Sequence, residues 1–452
     1  MEAGKRMEKK HMFSNRELRC LLIPLIVEQL LNSLMGTADS MMVSNVGSAA
    51  ISAVSLVDAI NILVIQAFYA LAAGGTIVCS QYLGREDLKS AREAARQLLL
   101  VVSAISAVVM AVCLAARGPL LSLIFGSVEA DVMEAAQIYF FYTAISFPFI
   151  ALYDAGSSIY RAQGNTRLPM AVALISNVLN IGGNAILIWG FHMGVAGAAI
   201  ATLGSRVLSA VAVLALLRRR TQAIPIRGYW NIRPDFQKIR RILSLGIPNG
   251  IENGMFQFGK LAIQSTVSTL GTAAIAANAM ASILENLNGI AAMGIGIGMM
   301  TVVGQCIGAG REDEAVYYIK KLTVLAEIVV LFSCTVVYLA SGPVTVIGGM
   351  EKESARMCLF MMGWITVVKP VVWTLAFIPA YGMRAAGDVK FSMIVSCITM
   401  WVFRVSLCIY LCRVHGFGPI AVWIGMFTDW TIRAVIFTAR FRSRRWLQHR
   451  VV

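Results

Sequence analysis

The chain has 452 residues, of which 58% are hydrophobic and only 14% charged, with a formal net charge of +15. Soluble domains carry about 25% charged residues, and no core could hide this much apolar surface, so the composition excludes a water-soluble globular domain and makes a lipid bilayer the expected solvent. The nine cysteines (Cys20, Cys79, Cys113, Cys306, Cys334, Cys358, Cys397, Cys408, Cys412) are scattered through apolar segments without a CxxC pair, so they read as small hydrophobes, not as a disulfide framework or metal cluster.

In chain order, a basic, polar stretch, "MEAGKRMEKKHMFSNRELRC", precedes the first apolar run. That run is a full span without a small-residue cleavage site, so no cleavable signal peptide is expected. A spanning helix needs roughly 20 mostly apolar residues. Twelve such spans are predicted: 18–43, 51–79, 95–116, 134–160, 168–190, 194–217, 241–269, 273–303, 320–341, 356–382, 391–412 and 417–440. They must be helical because hydrocarbon leaves every backbone polar group to be satisfied internally, and they lack the apolar–polar alternation of barrel strands. The expected fold class is all-α integral membrane, with twelve transmembrane helices.

The basic residues set the expected orientation, since Lys and Arg concentrate on cytoplasmic loops. The N-terminus, the loops after spans 2, 4, 6, 8 and 10 and the C-terminal tail together carry 30 of them. The opposite loops carry four: Arg117, Lys352, Arg356 and Arg413. Both termini are therefore expected in the cytoplasm of a multi-pass cell-membrane protein. The positive charge is a topology signal, which removes nucleic acid as a partner.

The two halves repeat. At an offset of 224 residues, "IPLIVEQL" at Ile23 matches "IPNGIENG" at Ile247, "VGSAAISA" at Val46 matches "LGTAAIAA" at Leu270, and Gln81-x-x-Gly84 matches Gln305-x-x-Gly308. "GRED" recurs at Gly84 and Gly310, and "RAQGNT" at Arg161 matches "RAAGDV" at Arg384. Six helices per copy, each copy starting on the same side, imply two parallel lobes about an axis along the membrane normal. The expected organisation is an N-terminal tail (1–17), an N-lobe of spans 1–6 (18–217), a linker (218–240), a C-lobe of spans 7–12 (241–440) and a C-terminal tail (441–452). Two similar lobes around a cleft are an architecture for alternating access.

These repeated stretches, with "YRAQGNTRLPM", "YGMRAAGDVKFSM" and "NVLNIGGNAILIWGFHMGVAGAAIAT", resemble the multidrug and toxic compound extrusion (MATE) family over most of the chain, from about Phe13 to Arg440. The resemblance implies two six-helix lobes around a V-shaped cleft, and a secondary antiporter that exports organic, chiefly cationic amphipathic compounds in exchange for H+ or Na+.

Ionisable residues inside spans are costly in hydrocarbon and are candidates for function. Asp39, in span 1 with Thr37, Ser40 and Ser44 beside it, matches the family's N-lobe acid. The resemblance places Asn177, Asn180, Asn184 and Thr202 next to it as an ion-coupling group; the three asparagines share one helix face. Such oxygens suit a small hard cation, Na+ at Asp39, or a carboxylate that changes partners when protonated. Some members carry Asp where this chain has Asn184, which leaves Asp39 as the titratable member of that group.

Glu28 and Glu252 each follow a proline, Pro24 and Pro248, by one turn, which favours a structural or gating role. Asp58, Glu252, Lys260, Glu285 and Lys369 are candidates for the substrate cleft, with Glu285, in the polar run "ENLNG", as a receiver for a cationic group. Asp154 with Arg161, and Asp429 with Arg433, are expected to pair. Lys260 and Lys369 stand in spans where some members have acids, and Arg206 and Arg404 look roughly equivalent in the two lobes. Each lysine is expected to have a partner, Glu252 or Glu285 first, because a buried unpaired ammonium costs several kcal/mol. The clustered methionines Met41, Met42, Met293, Met299 and Met300 suit either packing or an adaptable ligand surface.

The leading function is thus an antiporter; the rival is an exporter or flippase of an anionic or lipid-linked metabolite, which would want the cleft lysines. An enzyme is not expected: the four histidines (His11, His192, His415, His449) lie in loops or tails, and no DxxxD pair stands at a span end. There is no GxxxxGK[ST] loop for ATP. No cofactor is expected, the partners being a small-molecule substrate, the coupling ion and the bilayer, and the chain is expected to be a monomer.

Overall fold

Each predicted span falls on one helix. The computed structural model describes residues 11–44, 46–126, 128–219, 222–226, 228–229, 232–449 and 451; residues 1–10 of the expected N-terminal tail and the side chains of Thr37, Ser40 and Ser44 lie outside that description. The helices are α1 (Asn15–Ser44), α2 (Ser48–Gly84) and α3 (Leu88–Ala115). In α4, Ala130–Ile145 and Phe147–Ala162 meet at a bend of 41°. Then come α5 (Arg167–Asn184, running into a π-helical turn Ala185–Gly190), α6 (Gly194–Leu217), α7 (Phe236–Val267), α8 (Thr272–Gly308) and α9 (Glu312–Ile347). In α10 (Lys352–Ala385) a π turn occupies Lys369–Trp373, and in α11 (Val389–Arg413) another occupies Thr399–Val405. The last is α12 (Ile420–Arg442).

Ten of these helices are long and apolar enough to span a membrane, and the bent α4 makes an eleventh. The twelfth, α7, is too polar to qualify by composition, since it carries Glu252, Lys260 and the "IPNGIENG" stretch. Packing along α2 gives α7 its place in the bundle. Side-chain caps begin α3 and α7: Asp87 accepts from the Ser90 amide (2.9 Å), and Asp235 accepts from those of Gln237 (3.1 Å) and Lys238 (3.2 Å). The Ser90 bonds hold the Asp87 carboxyl below the usual range, and the Lys238 side chain (2.9 Å), with these amides, does the same for Asp235.

Within the first six helices, the N-lobe, α2 packs on α3 and α4, and α5 lies between α1 and α6. Within the last six, the C-lobe, α8 packs on α9 and α10, and α11 lies between α7 and α12. The lobes meet where α2 crosses α7, α1 crosses α8, and α2 runs beside α8.

The seal between the lobes is two-fold symmetric. Gln81 Nε2 donates to the Ala385 carbonyl (2.8 Å), and Gln305 Nε2 donates to the Ala162 carbonyl (2.8 Å). Gly84 and Gly308 make the approach possible: a Cβ on either would stand 2.0 Å from the carbonyl oxygen of Gln305 or Gln81, respectively. Thr301 adds a bond to the Arg161 carbonyl (3.0 Å), and Arg241 one to the Tyr82 hydroxyl (2.6 Å). The chain start also crosses over, with the Met12 amide on Glu314 (2.8 Å) and the Phe13 amide on the Tyr318 hydroxyl (2.8 Å). Among the described residues, these interlobe hydrogen bonds lie in the half of the bundle that carries the termini; Asn253 with Gln66, near mid-bundle, is the farthest from it. The lobes are closed on the side of the termini.

Behind this seal, one ion pair recurs at corresponding places in the two lobes, buried in the N-lobe and half-buried in the C-lobe. Glu28 on α1 accepts from Arg161 on α4 (2.6 Å), and Glu252 on α7 accepts from Arg384 on α10 (2.6 Å). Arg161 therefore does not take Asp154 as its hydrogen-bonded partner, as the spacing of seven suggested. Glu28 is the acid within hydrogen-bond distance, while Asp154 stays within electrostatic reach only. Asp429 and Arg433 do pair, at 2.7 Å. Met42, Met299 and Met300 are buried in the core, which is the packing role.

Two outcomes are expected. Replacing Gly84 or Gly308 by Val should force the helix ends apart and expose Cys306, which is fully buried beside them. In a Cys20→Ser background, the rate of maleimide labelling at Cys306 should rise at least about tenfold, whereas an unchanged rate would contradict the seal. Glu28→Ala strands the Arg161 guanidinium, and removing one partner of a buried pair costs about 3–5 kcal/mol. The melting temperature in detergent should fall clearly, and the Glu28→Ala/Arg161→Ala double variant should lose less than the sum of the two single changes.

Candidate functional site

In the N-lobe, polar side chains from three helices form a chain. The Asn184 side-chain amide donates to Asp39 Oδ1 (2.7 Å) and lies 3.3 Å from Asn180 Oδ1; Asn180 donates to Thr202 Oγ1 (3.3 Å), which donates to the Ala198 carbonyl (2.9 Å). Asn180, Asn184 and Thr202 are buried, and Asp39 is half-buried. Asn177 shares the face of Asn180 and Asn184 but donates to the Leu31 carbonyl (3.1 Å), tying α5 to α1 instead of joining the chain. One buried acceptor, Asn184 Oδ1, has no hydrogen-bond partner. It belongs to the residue that bonds Asp39, so an uncommitted oxygen stands beside the carboxylate.

The structure adds members to this group. Asp58 on α2 accepts on Oδ1 from Asn61 (3.2 Å) and from the Tyr139 hydroxyl of α4 (3.3 Å), and it stands within electrostatic reach of Asp39. Arg206 on α6 donates to Ser146 (2.7 Å), at the bend of α4, and acts electrostatically on both acids. Asp39 is thus not the sole titratable group of the pocket, which holds two carboxylates and a guanidinium. Asn61, three residues after Asp58, was readable from helical spacing. Tyr139 and Ser146 carried no local signal, because only the packing of α4 brings them in.

The C-lobe is built differently. At the offset of 224 residues, the position matching Asp39 is Ile263, a buried hydrophobe. Lys369, fully buried in the π turn of α10, donates to the Glu285 carboxylate and to the Glu285 carbonyl (2.8 Å), and its ammonium sits 4.8 Å from the Trp373 ring centroid. Glu285 is therefore engaged by a lysine and is not a free receiver for a cationic group. Glu252 is held by Arg384, so neither acid pairs with Lys260. Arg404 lies in the π turn of α11, counterpart of α5, whereas Arg206 lies in α6, counterpart of α12, so the two arginines are not equivalent. All three π turns adjoin these charged and amide groups: Asn184, Lys369 and Arg404. A π turn shifts side chains by a fraction of a turn and commonly marks functional positions.

Comparison with known proteins agrees with this architecture. The MatE family model matches twice, over residues 24–186 and 248–410, which together make up well over half of the chain. "Uncharacterized transporter YisQ" of Bacillus subtilis is 27% identical over 431 residues, covering 94% of this chain and 93% of that protein. "Probable multidrug resistance protein NorM" of Thermotoga maritima is 26% identical over 453 residues, covering 97% and 94%. Among solved structures, an "Outward-facing conformation of a multidrug resistance MATE family transporter of the MOP superfamily" superposes with a TM-score of 0.88 at 20% identity, covering 95% of each chain. With two family-model matches at the offset of its own repeat, and the same fold, the chain is a multi-pass membrane transporter of the MATE family.

Proposed function

We propose that this protein is a secondary active antiporter that exports amphipathic organic compounds across the cell membrane in exchange for H+ or Na+, by alternating access. The observation that carries the proposal is the pairing of Asp39 with Asn184, whose amide nitrogen holds the carboxylate while its own buried oxygen has no partner. An incoming cation meets a carboxylate and an uncommitted amide oxygen, which suits Na+. A proton placed on Asp39 removes the negative charge that strengthens the Asn184 bond and adds an O–H donor, for which the free Asn184 oxygen is an acceptor, so the contact between α1 and α5 is rearranged. Either ion alters how α1 sits on α5, and α1 also crosses α8 of the other lobe.

In this reading both termini face the cytoplasm, the seal at Gln81 and Gln305 closes the cytoplasmic side, and the cleft faces outward. The chain works as a monomer because each half supplies the other's lobe partner. The printed description of the Thermotoga maritima relative, a probable multidrug resistance protein, supports an organic substrate. The chiefly cationic substrates that the family resemblance implies fit the acids Asp39 and Asp58 but not the basic C-lobe.

The test is gradient-driven efflux from membrane vesicles, driven separately by a pH and by a sodium gradient. Asp39→Asn should abolish export while the protein reaches the membrane at wild-type level; export at the wild-type rate would sink the assignment. Asn184→Leu should keep export but raise the ion concentration for half-maximal activity about tenfold, in whichever gradient drives the wild type. No change there would remove Asn184 from the site.

A further inference from the structure

The C-lobe contains two cations whose charges its acids leave largely unanswered. Lys260 on α7 makes no hydrogen bond or ion pair among the described residues, and its side chain is exposed. Its ammonium lies 5.0 Å from the centroid of the Phe256 ring. The Arg404 guanidinium, from α11, lies 5.1 Å from the same centroid, so the two charges stand within about 10 Å of each other. Arg404 is only 4% exposed, yet its Nε and Nη1 have no hydrogen-bond partner. The nearest acid oxygen, Asp429 Oδ2, is 3.8 Å away, and the other oxygen of Asp429 is taken by Arg433 at 2.7 Å. Arg433 is satisfied further by Ser396 (3.0 Å to its hydroxyl and 3.0 Å to its carbonyl). Four cations (Lys260, Lys369, Arg404, Arg433) thus face two acids (Glu285, Asp429), and both acids are engaged by other cations.

The backbone brings the two cations together. Gly259 lets α7 press on Met400 of α11, for a Cβ there would stand 2.2 Å from the Met400 Cε. That contact immediately precedes Lys260 and comes one turn before Arg404. Snorkelling does not explain Lys260. The near membrane interface lies toward the end of α7 at Val267, whereas the ammonium sits over Phe256, one turn in the opposite direction. Side chains on a helix lean toward its N-terminus, and here that lean carries the charge into the bundle.

We propose that Lys260, Arg404 and the Phe256 ring form an anion-binding subsite in the C-lobe, which takes the carboxylate, phosphate or sulfonate group of an amphipathic aromatic or aliphatic molecule. Phe256 meets the apolar part, Lys260 is the accessible charge, and Arg404 offers the two buried N–H groups. The proposal rests on the antiport reading in one respect: the cleft is the substrate's path, so the exported compound is anionic or zwitterionic. The same headgroup chemistry could arrive on a membrane phospholipid.

The probe is 2-naphthalenesulfonate against its uncharged analogue 2-naphthalenemethanol, titrated by calorimetry into full-length protein in an uncharged maltoside detergent. The wild type should bind the sulfonate at least tenfold more tightly than the alcohol. Lys260→Gln should weaken the sulfonate at least tenfold, about 1.4 kcal/mol, and leave the alcohol unchanged, whereas Lys260→Arg should stay within threefold of wild type. Equal affinity of the wild type for the two probes overturns the subsite, and this comparison needs no variant to fold. An effect of Lys260→Gln below twofold, or an equal loss for both probes, also overturns it. Native mass spectrometry separates the two sources. Loss of one bound phosphatidylglycerol in Lys260→Gln assigns the anion to lipid, and unchanged lipid retention assigns it to the soluble substrate. Because binding is measured, not export, this test and the Asp39 test can fail independently.

Discussion

A charge placed among apolar helices must find a partner, and that constraint organises this molecule. Moving an ion out of water costs several kcal/mol even after relaxation, so an isolated buried charge is not a stable arrangement. Glu28 takes Arg161, Glu252 takes Arg384, Glu285 takes Lys369, and Asp429 takes Arg433. These four pairs draw α1 to α4, α7 to α10 and α8 to α10, and they brace α12. Other charges are answered without a close ion pair: Asp58 by Asn61 and Tyr139, and Arg206 by Ser146. Asp39 is bonded to a neutral amide, and Lys260 rests on an aromatic ring.

The repeat explains which features are shared and which are not. The recurring ion pair, the glutamine clasps and the glycine contacts occur once in each half, because two copies of one helical hairpin must close against each other about a common axis. The lobe interiors escape that demand. The N-lobe pocket holds acids, amides and one arginine, and the C-lobe holds mostly cations. A two-fold frame with opposite charge in its two halves can close on one side without making the halves chemically alike.

The π turns connect the frame to the interiors. In α5, α10 and α11 the extra residue interrupts the regular helix beside Asn184, Lys369 and Arg404. Hydrocarbon permits such interruptions only where neighbouring helices cover the displaced backbone groups. Here α6 packs on the turn in α5, α9 and α12 on the turn in α10, and α7 and α12 on the turn in α11, so each irregular stretch has one face against the bundle.

Much of this was legible from residues alone. Apolar length identified the helices, since a backbone in hydrocarbon has no other structure available, and the 224-residue offset exposed the repeat. Spacing brought Asn180 and Asn184 onto one face, and put Arg433 one turn from Asp429. What the one-dimensional pattern left open was who meets whom between helices. Arg161 chose Glu28 over Asp154, Arg384 claimed Glu252 before Lys260 could, and Asp58 and Arg206 joined Asp39 from helices with no local link to it. Periodicity reports only the face a side chain occupies, to within about a quarter-turn. Pairing depends on crossing angles, on a 41° bend and on π turns that shift the face itself, and these are settled by the packing of all twelve helices together.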